Sequence, residues 1–234
     1  MMNIVITGGS KGMGKAMAQK FASAGNEIII CSRNENELAE TSKELNEKFP
    51  GSVNYFSADL TDKSDVQKFS NYILQKNMPV DILINNAGSF LPGSVYNEEE
   101  GTLEKMIAIN LYSAYHLTRA LLPSMMKKKQ GHIFNMCSIA ALNAYSNGGS
   151  YSISKYALMG FSKNLREEMK PFNIKVTTVY PGAVYTSSWE GADIAPDRIM
   201  EVNDIAEIVY SASMLTPQAC VEDIVIRPLL GDLP

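Results

Sequence analysis

Tyr151 and Lys155 stand four residues apart in Tyr-Ser-Ile-Ser-Lys, and Ser138 lies thirteen residues upstream, just past a strand-like run. On a helix, positions i and i+4 share one face about 5–6 Å apart. An ammonium at that distance favours the phenolate of its neighbour, which predicts a lowered tyrosine pKa and a phenol that gives and takes a proton near neutral pH. A single Tyr-x-x-x-Lys also occurs on solvated helix faces, so the spacing alone does not identify a site.

The N-terminus supplies a second feature. Met2-Asn3-Ile4-Val5-Ile6 reads as a buried strand, followed at once by Thr7-Gly8-Gly9-Ser10-Lys11-Gly12-Met13-Gly14 and a helical run to Ala24. Glycines between a strand and a helix let the backbone approach a pyrophosphate, and the helix start offers free N–H groups and the positive end of its dipole. The arrangement predicts a dinucleotide site, although the spacing is not the usual Gly-x-Gly-x-x-Gly. An acid after the second strand would bind the ribose diol of NAD, but Cys31-Ser32-Arg33-Asn34 occupies that place. Arg33, Lys11 and Ser32 are donors suited to a 2′-phosphate, so NADP(H) is the expected cofactor. Glu35 and Glu37 read as first-turn acids of the following helix.

In order along the chain stand Thr7-Gly8-x-x-x-Gly12-x-Gly14, Asp59-Leu60, Asn85-Asn86-Ala87-Gly88, Asn110, Ser138, Tyr151 with Lys155, and Pro181-Gly182-x-x-x-Thr186. In these motifs the chain resembles the short-chain dehydrogenase/reductase family in its single-domain form, from the first strand to about residue 190. The resemblance implies hydride transfer between a nicotinamide and a carbonyl or secondary alcohol. Tyr151 would be the acid/base, Ser138 would hold the carbonyl oxygen, and Lys155 would favour the phenolate and bind the nicotinamide ribose. Asn110 would bend its helix and hold a water linking Lys155 to solvent. The implied cofactor residues are Gly8, Ser10, Lys11, Gly12, Met13, Gly14, Ser32 and Arg33 around the phosphates, with Asp59 and Leu60 beside the adenine. Asn86, Ala87 and Gly88 follow at the ribose, then Tyr151, Lys155, Pro181, Gly182, Val184 and Thr186 toward the nicotinamide. For Asp59 a helix cap ahead of Thr61 is the competing reading. A catalytically silent NADP(H)-sensing protein on the same fold is the alternative function, set against the presence of Asn110, Ser138, Tyr151 and Lys155.

Apolar, β-rich runs at 3–7, 26–31, 52–57, 80–85, 131–137, 174–180 and 221–226 alternate with helix-like stretches. Alternation predicts a parallel sheet covered on both faces by right-handed crossovers. With the resemblance, the expected fold is a single α/β domain over 1–234, Rossmann-like, with a doubly wound, mostly seven-stranded parallel sheet. Long helices are expected at 99–128 and 150–170. Substrate loops are expected near 89–97, 139–149 and 183–197, at strand ends where ligands collect in open sheets. Phe90, Tyr145, Tyr185 and Trp189 in these loops point to an apolar or aromatic wall, and to a hydrophobic ketone, 3-oxoacyl thioester or 3-hydroxy acid as substrate.

With 45% hydrophobic and 20% charged residues and a formal net charge of −4, composition favours a globular core and argues against a nucleic-acid or anionic-membrane partner. Cys31, Cys137 and Cys220 form no C-x-x-C pair, and the first strand begins without a secretory segment, so a cytoplasmic location is expected. His116 and His132 lack metal spacing, and no metal is expected. Cys137 reads as a buried apolar thiol. Leu158, Met159, Phe161 and Leu165 give the last long helix more apolar surface than one core-facing stripe needs, and a homodimer or homotetramer is expected.

Overall fold

The computed structural model describes residues 1–76, 79–186, 189 and 195–231. The seven apolar runs become the strands β1 (Asn3–Thr7), β2 (Glu27–Ser32), β3 (Val53–Ser57), β4 (Ile82–Asn85), β5 (Gly131–Met136), β6 (Ile174–Pro181) and β7 (Asp223–Ile226). They form one sheet in the order β3-β2-β1-β4-β5-β6-β7, with every neighbouring pair parallel. The chain winds outward from β1 to β3, then returns to lay β4 on the other side of β1. Strand order therefore reverses between β1 and β4, which opens a crevice at their carboxyl ends.

Parallel strands covered on both faces must be apolar at successive positions, and the alternation of side chains divides them between two cores. Ile4, Ile6, Ile28, Ile30, Ile82 and Ile84 face α1 (Gly12–Ser23), α2 (Glu35–Lys48) and α7 (Val202–Ser213). Val5, Ile29, Leu83, Ile133 and Val176 face α3 (Lys63–Gln75), α5 (Ser113–Lys128) and α6 (Gly149–Met169).

The helix expected over 99–128 is divided. Gly101 adopts a left-handed conformation at φ 83°, α4 runs only from Thr102 to Ile107, and a π-helical turn at Ala108–Tyr112 joins it to α5. Lys127 and Lys128 close α5, and Lys128 pairs with Asp81 at the mouth of β4. The stretch near Pro196 is a short 3-10 turn, Pro196–Arg198, ahead of α7. Among the described residues no helix is long and apolar enough to cross a membrane, and no group of His, Cys, Asp and Glu could hold a metal ion.

His132 lies in β5 with its ring stacked 3.9 Å from Phe134. Its Nε2 meets Thr177 Oγ1 at 2.7 Å, and that hydroxyl donates to Val221 O at 2.5 Å. Thr177 thus has its hydrogen committed, so His132 carries its proton on Nε2 and buries an unpartnered Nδ1. Burial, and after it the charge of Lys175, depress the imidazole pKa from 6.5 to about 3. A depressed base binds fewer protons folded than unfolded, so its stabilising contribution is complete above pH 6.5 and is lost as pH falls toward 3. His132→Phe should therefore flatten the fall of melting temperature on acidification through that window. An acid dependence identical to wild type would contradict this.

Candidate active site

Thr7 ties the two sides of the crevice together at the carboxyl end of β1. Its hydroxyl accepts from Asn86 N and Ala87 N, both at 2.9 Å, while Asn86 Nδ2 donates to Thr7 O at 2.9 Å and Gly8 O at 3.1 Å. Asn86 thereby grips the glycine turn from the next strand. The turn admits nothing larger: Gly8 has φ 65°, and a Cβ on Gly14 would stand 2.1 Å from Gly8 O. Helix α1 begins without a side-chain cap, its Lys11 N-cap being extended, so its first N–H groups remain open to an anion.

Residues past β2 fit a phosphate-bearing ligand. Among the described residues Ser32 Oγ is buried without a hydrogen-bond partner, Arg33 directly after it is exposed, and Lys11 is exposed on the glycine turn. Such an orphaned hydroxyl costs free energy unless a ligand or water satisfies it. Ser10 sits in the same place, its carbonyl accepting from Thr41 Oγ1 at 2.7 Å and its hydroxyl meeting Glu37 Oε2 at 3.2 Å. Glu37 is a first-turn acid of α2 as expected, and it also reaches the glycine turn. Met13 packs on the core, Leu60 is buried, and the Thr186 methyl lies 3.5 Å from where a Gly12 Cβ would be. Asp59 turns its carboxylate onto Thr61, accepting from N at 2.9 Å and Oγ1 at 2.8 Å, whereas Asp62 is the residue that caps α3. Gly182 N donates to Ile226 O at 2.8 Å just past Pro181, and the buried Val184 bridges to Met200.

Ser138, Tyr151, Lys155 and Asn110 come together beside this turn. Ser138 follows β5 and starts the short 3-10 turn Ile139–Ala141, its Oγ accepting from Ala140 N at 3.1 Å. That contact uses a lone pair, so the hydroxyl hydrogen is available for the bond that Ser138 makes to Tyr151. Lys155 is 5% exposed, donates to Met136 O at 3.0 Å, and sits 5.8 Å from the centre of the Tyr151 ring. Asn110 occupies the π-helical turn. It accepts from Ser89 N at 2.9 Å and donates to Ser89 O at 3.0 Å and to Ser154 Oγ at 2.9 Å. A Cβ on Gly88 would fall 2.9 Å from Asn110 Oδ1 and 3.4 Å from Lys155 Nζ, so glycine there keeps both polar groups in place. Cys137 is buried, with Sγ 3.2 Å from Lys155 O, and burial raises its pKa.

The lowered phenol pKa expected from the Tyr-x-x-x-Lys spacing is not what the protein alone produces. Burial pushes the Tyr151 pKa up to about 12, outweighing the opposing hydrogen bond to Ser138. The same burial holds the Lys155 ammonium below the usual lysine range. For each group desolvation is the largest cause and sets the direction.

Of the aromatic residues read as a substrate wall, Phe90 meets the Tyr151 ring edge-on, with centroids 4.9 Å apart. Tyr145 is 46% exposed and Tyr185 54%, and Trp189 N donates to Thr186 O at 2.9 Å. Much of the third loop, at 187–188 and 190–194, lies outside the described residues. Sequence reasoning gave no role to the Thr7 side chain or to Ser154. Thr7 directly before the glycines was a visible signal, whereas the use of Ser154 depends on the π-helical turn.

Residues 2–195 match the short chain dehydrogenase family profile. The chain is 32% identical over 227 residues to an uncharacterized oxidoreductase of Staphylococcus epidermidis, covering 96% of each. It is 31% identical over 239 residues to the sepiapterin reductase of Chlorobaculum tepidum, covering 98% of this chain and 97% of that one. Among solved structures, the alcohol dehydrogenase of the archaeon Thermococcus sibiricus, complexed with 5-hydroxy-NADP, superposes with a TM-score of 0.92 at 25% identity, covering 100% of this chain and 99% of that one.

The glycine turn gives a direct test of the cradle. Gly14→Ala should weaken NADPH binding at least about tenfold, since backbone must shift to admit the methyl. Gly160→Ala, with nothing within 4 Å, should leave binding unchanged and stabilise its helix by about 0.5–1 kcal/mol. Equal NADPH affinity in the two variants, measured by fluorescence titration, would contradict the assignment.

Proposed function

The chain belongs to the short chain dehydrogenase family, and we propose that within it the protein is an NADP(H)-dependent oxidoreductase acting on a carbonyl or secondary alcohol with Tyr151 as acid/base. The convergence of Ser138, Tyr151 and Lys155 at the carboxyl edge of the sheet, next to a turn with no room for a Cβ at Gly8 or Gly14, carries this reading. When bound, the nicotinamide supplies or accepts the hydride. Ser138 holds the substrate oxygen by turning onto it the hydroxyl hydrogen that otherwise meets Tyr151, while its lone pair stays on Ala140 N. Tyr151 gives that oxygen its proton in reduction and takes one in oxidation. Lys155 holds the cofactor ribose and stabilises charge as it develops on the phenol. Asn110 fixes Ser89 and Ser154 on either side of the site.

For NADP(H) over NAD(H) the support is the orphaned Ser32 hydroxyl, the arginine beside it and the lysine in the glycine turn. The bound 5-hydroxy-NADP of the archaeal relative agrees with it. Phe90 and Tyr145 at the mouth support a hydrophobic ketone. The groove between α5 and α6, lined by Tyr112, Tyr115, Leu122 and Phe161, supports a homo-oligomer, for Tyr112 is 48% exposed there.

The test is NADPH oxidation across a panel of acetophenone, ethyl acetoacetate, diacetyl, acetoacetyl thioester and 3-oxo acids. At least one should be reduced, and Tyr151→Phe should lose roughly 10²–10⁴-fold in turnover while keeping NADPH affinity. Tight NADPH binding with no turnover on any member, or a fully active Tyr151→Phe, would contradict the reading. Arg33→Asp should move the preference between cofactors toward NADH. An unchanged ratio of kcat/KM for the two would remove Arg33 from the phosphate site.

A further inference from the structure

Helix α6 carries Tyr151 and Lys155, yet its own N-cap residue, Gly148, provides no side-chain cap. The cap comes from the loop after β4. Glu98 Oε1 accepts from Ser150 N at 2.8 Å, and its second carboxylate oxygen accepts from Ser150 Oγ. A second tie lies beside it, where Gly93 N donates to Asn147 O at 3.1 Å and Ser94 Oγ to Asn147 Oδ1 at 2.7 Å. The fit leaves no slack: a Cβ on Gly149 would stand 2.1 Å from Glu98 Oε1 and 2.4 Å from Gly93 O. Gly149 also has φ 34°, a conformation glycine tolerates best.

Ser150 directly precedes Tyr151, so a two-point clamp on Ser150 sets the rotation and height of the first turn of α6. The same loop begins at Ser89, fixed by Asn110, and carries Phe90 against the Tyr151 ring. A carboxylate at this helix end also complements the dipole. We propose that Glu98 is a positioning residue, acting through Ser150 to hold the Tyr151 hydroxyl level with Ser138. The inference rests on the acid/base reading of Tyr151 given above.

The test uses the full chain with the carbonyl from the panel that the wild-type protein reduces fastest, beside NADPH affinity by fluorescence. Glu98→Ala should lower kcat by roughly 10- to 100-fold, the scale of a small misplacement of a reacting group, with NADPH affinity unchanged. Glu98→Gln keeps an oxygen for Ser150 N and should restore most of that loss. Wild-type kcat in Glu98→Ala would overturn the proposal. So would a parallel loss of kcat and NADPH affinity in both variants, since a general disruption gives that pattern. Should Glu98→Ala not fold, Ser150→Ala decides: a severalfold lower kcat at unchanged NADPH affinity supports the clamp, and an unchanged kcat overturns it. A fully active Tyr151→Phe, or no reduction of any carbonyl, sinks the acid/base reading itself. An inactive Tyr151→Phe beside a fully active Glu98→Ala sinks only the role of Glu98.

Discussion

A buried ammonium with no carboxylate beside it among the described residues is the constraint around which this site is arranged. Lys155 is 5% exposed and donates to the carbonyl of Met136, the last residue of β5. Desolvating such a charge is costly unless polar groups surround it. A strand end provides them, because its final carbonyls have no neighbour to bond in the ladder. That requirement fixes α6 against the carboxyl edge of the sheet and brings Tyr151 with it. It also excludes a side chain at Gly88, where a Cβ would press on both Lys155 and Asn110.

The π-helical turn is a second consequence. An unbroken α-helix over 99–128 would present a side chain every 3.6 residues on a regular stripe. The wider turn at Ala108–Tyr112 instead places Asn110 inward, where one amide bonds Ser89 on both its N–H and its C=O and also meets Ser154. Such turns concentrate at functional sites because they free backbone and side-chain groups for other partners. Ser154 in turn donates to Tyr151 O at 2.6 Å, which links the bend of one helix to the residue proposed as acid/base on another. On the far side of the crevice Thr7 and Asn86 do the equivalent work for the glycine turn.

The strands were legible in the sequence to within about two residues, because a parallel sheet buried on both faces writes itself as short continuous apolar runs. The glycines were legible because positive φ and close backbone approach leave few other residue types. What the sequence hid was set by distance in the chain. Ser150 finds its cap in Glu98, 52 residues earlier, where a run of three glutamates offers no reason to prefer one. Asp59 and Asp62 are equally plausible caps for the third helix until the backbone shows that only Asp62 precedes its first turn. The direction of the Tyr151 shift was misread for the same reason. Spacing reveals a neighbouring charge, whereas burial is a property of the whole fold, and burial is what sets the direction here.

The central claim is that Ser138 and Tyr151 act on one substrate oxygen while Lys155 holds the cofactor beside them. A crystal structure with NADP and the alcohol product of the fastest carbonyl tests it most directly. The account predicts the product oxygen within roughly 2.6–3.2 Å of both Ser138 Oγ and the Tyr151 hydroxyl, with Lys155 turned to the ribose and the pyrophosphate on the first turn of α1. A product oxygen held by other residues, or a dinucleotide lying away from the glycine turn, would contradict it.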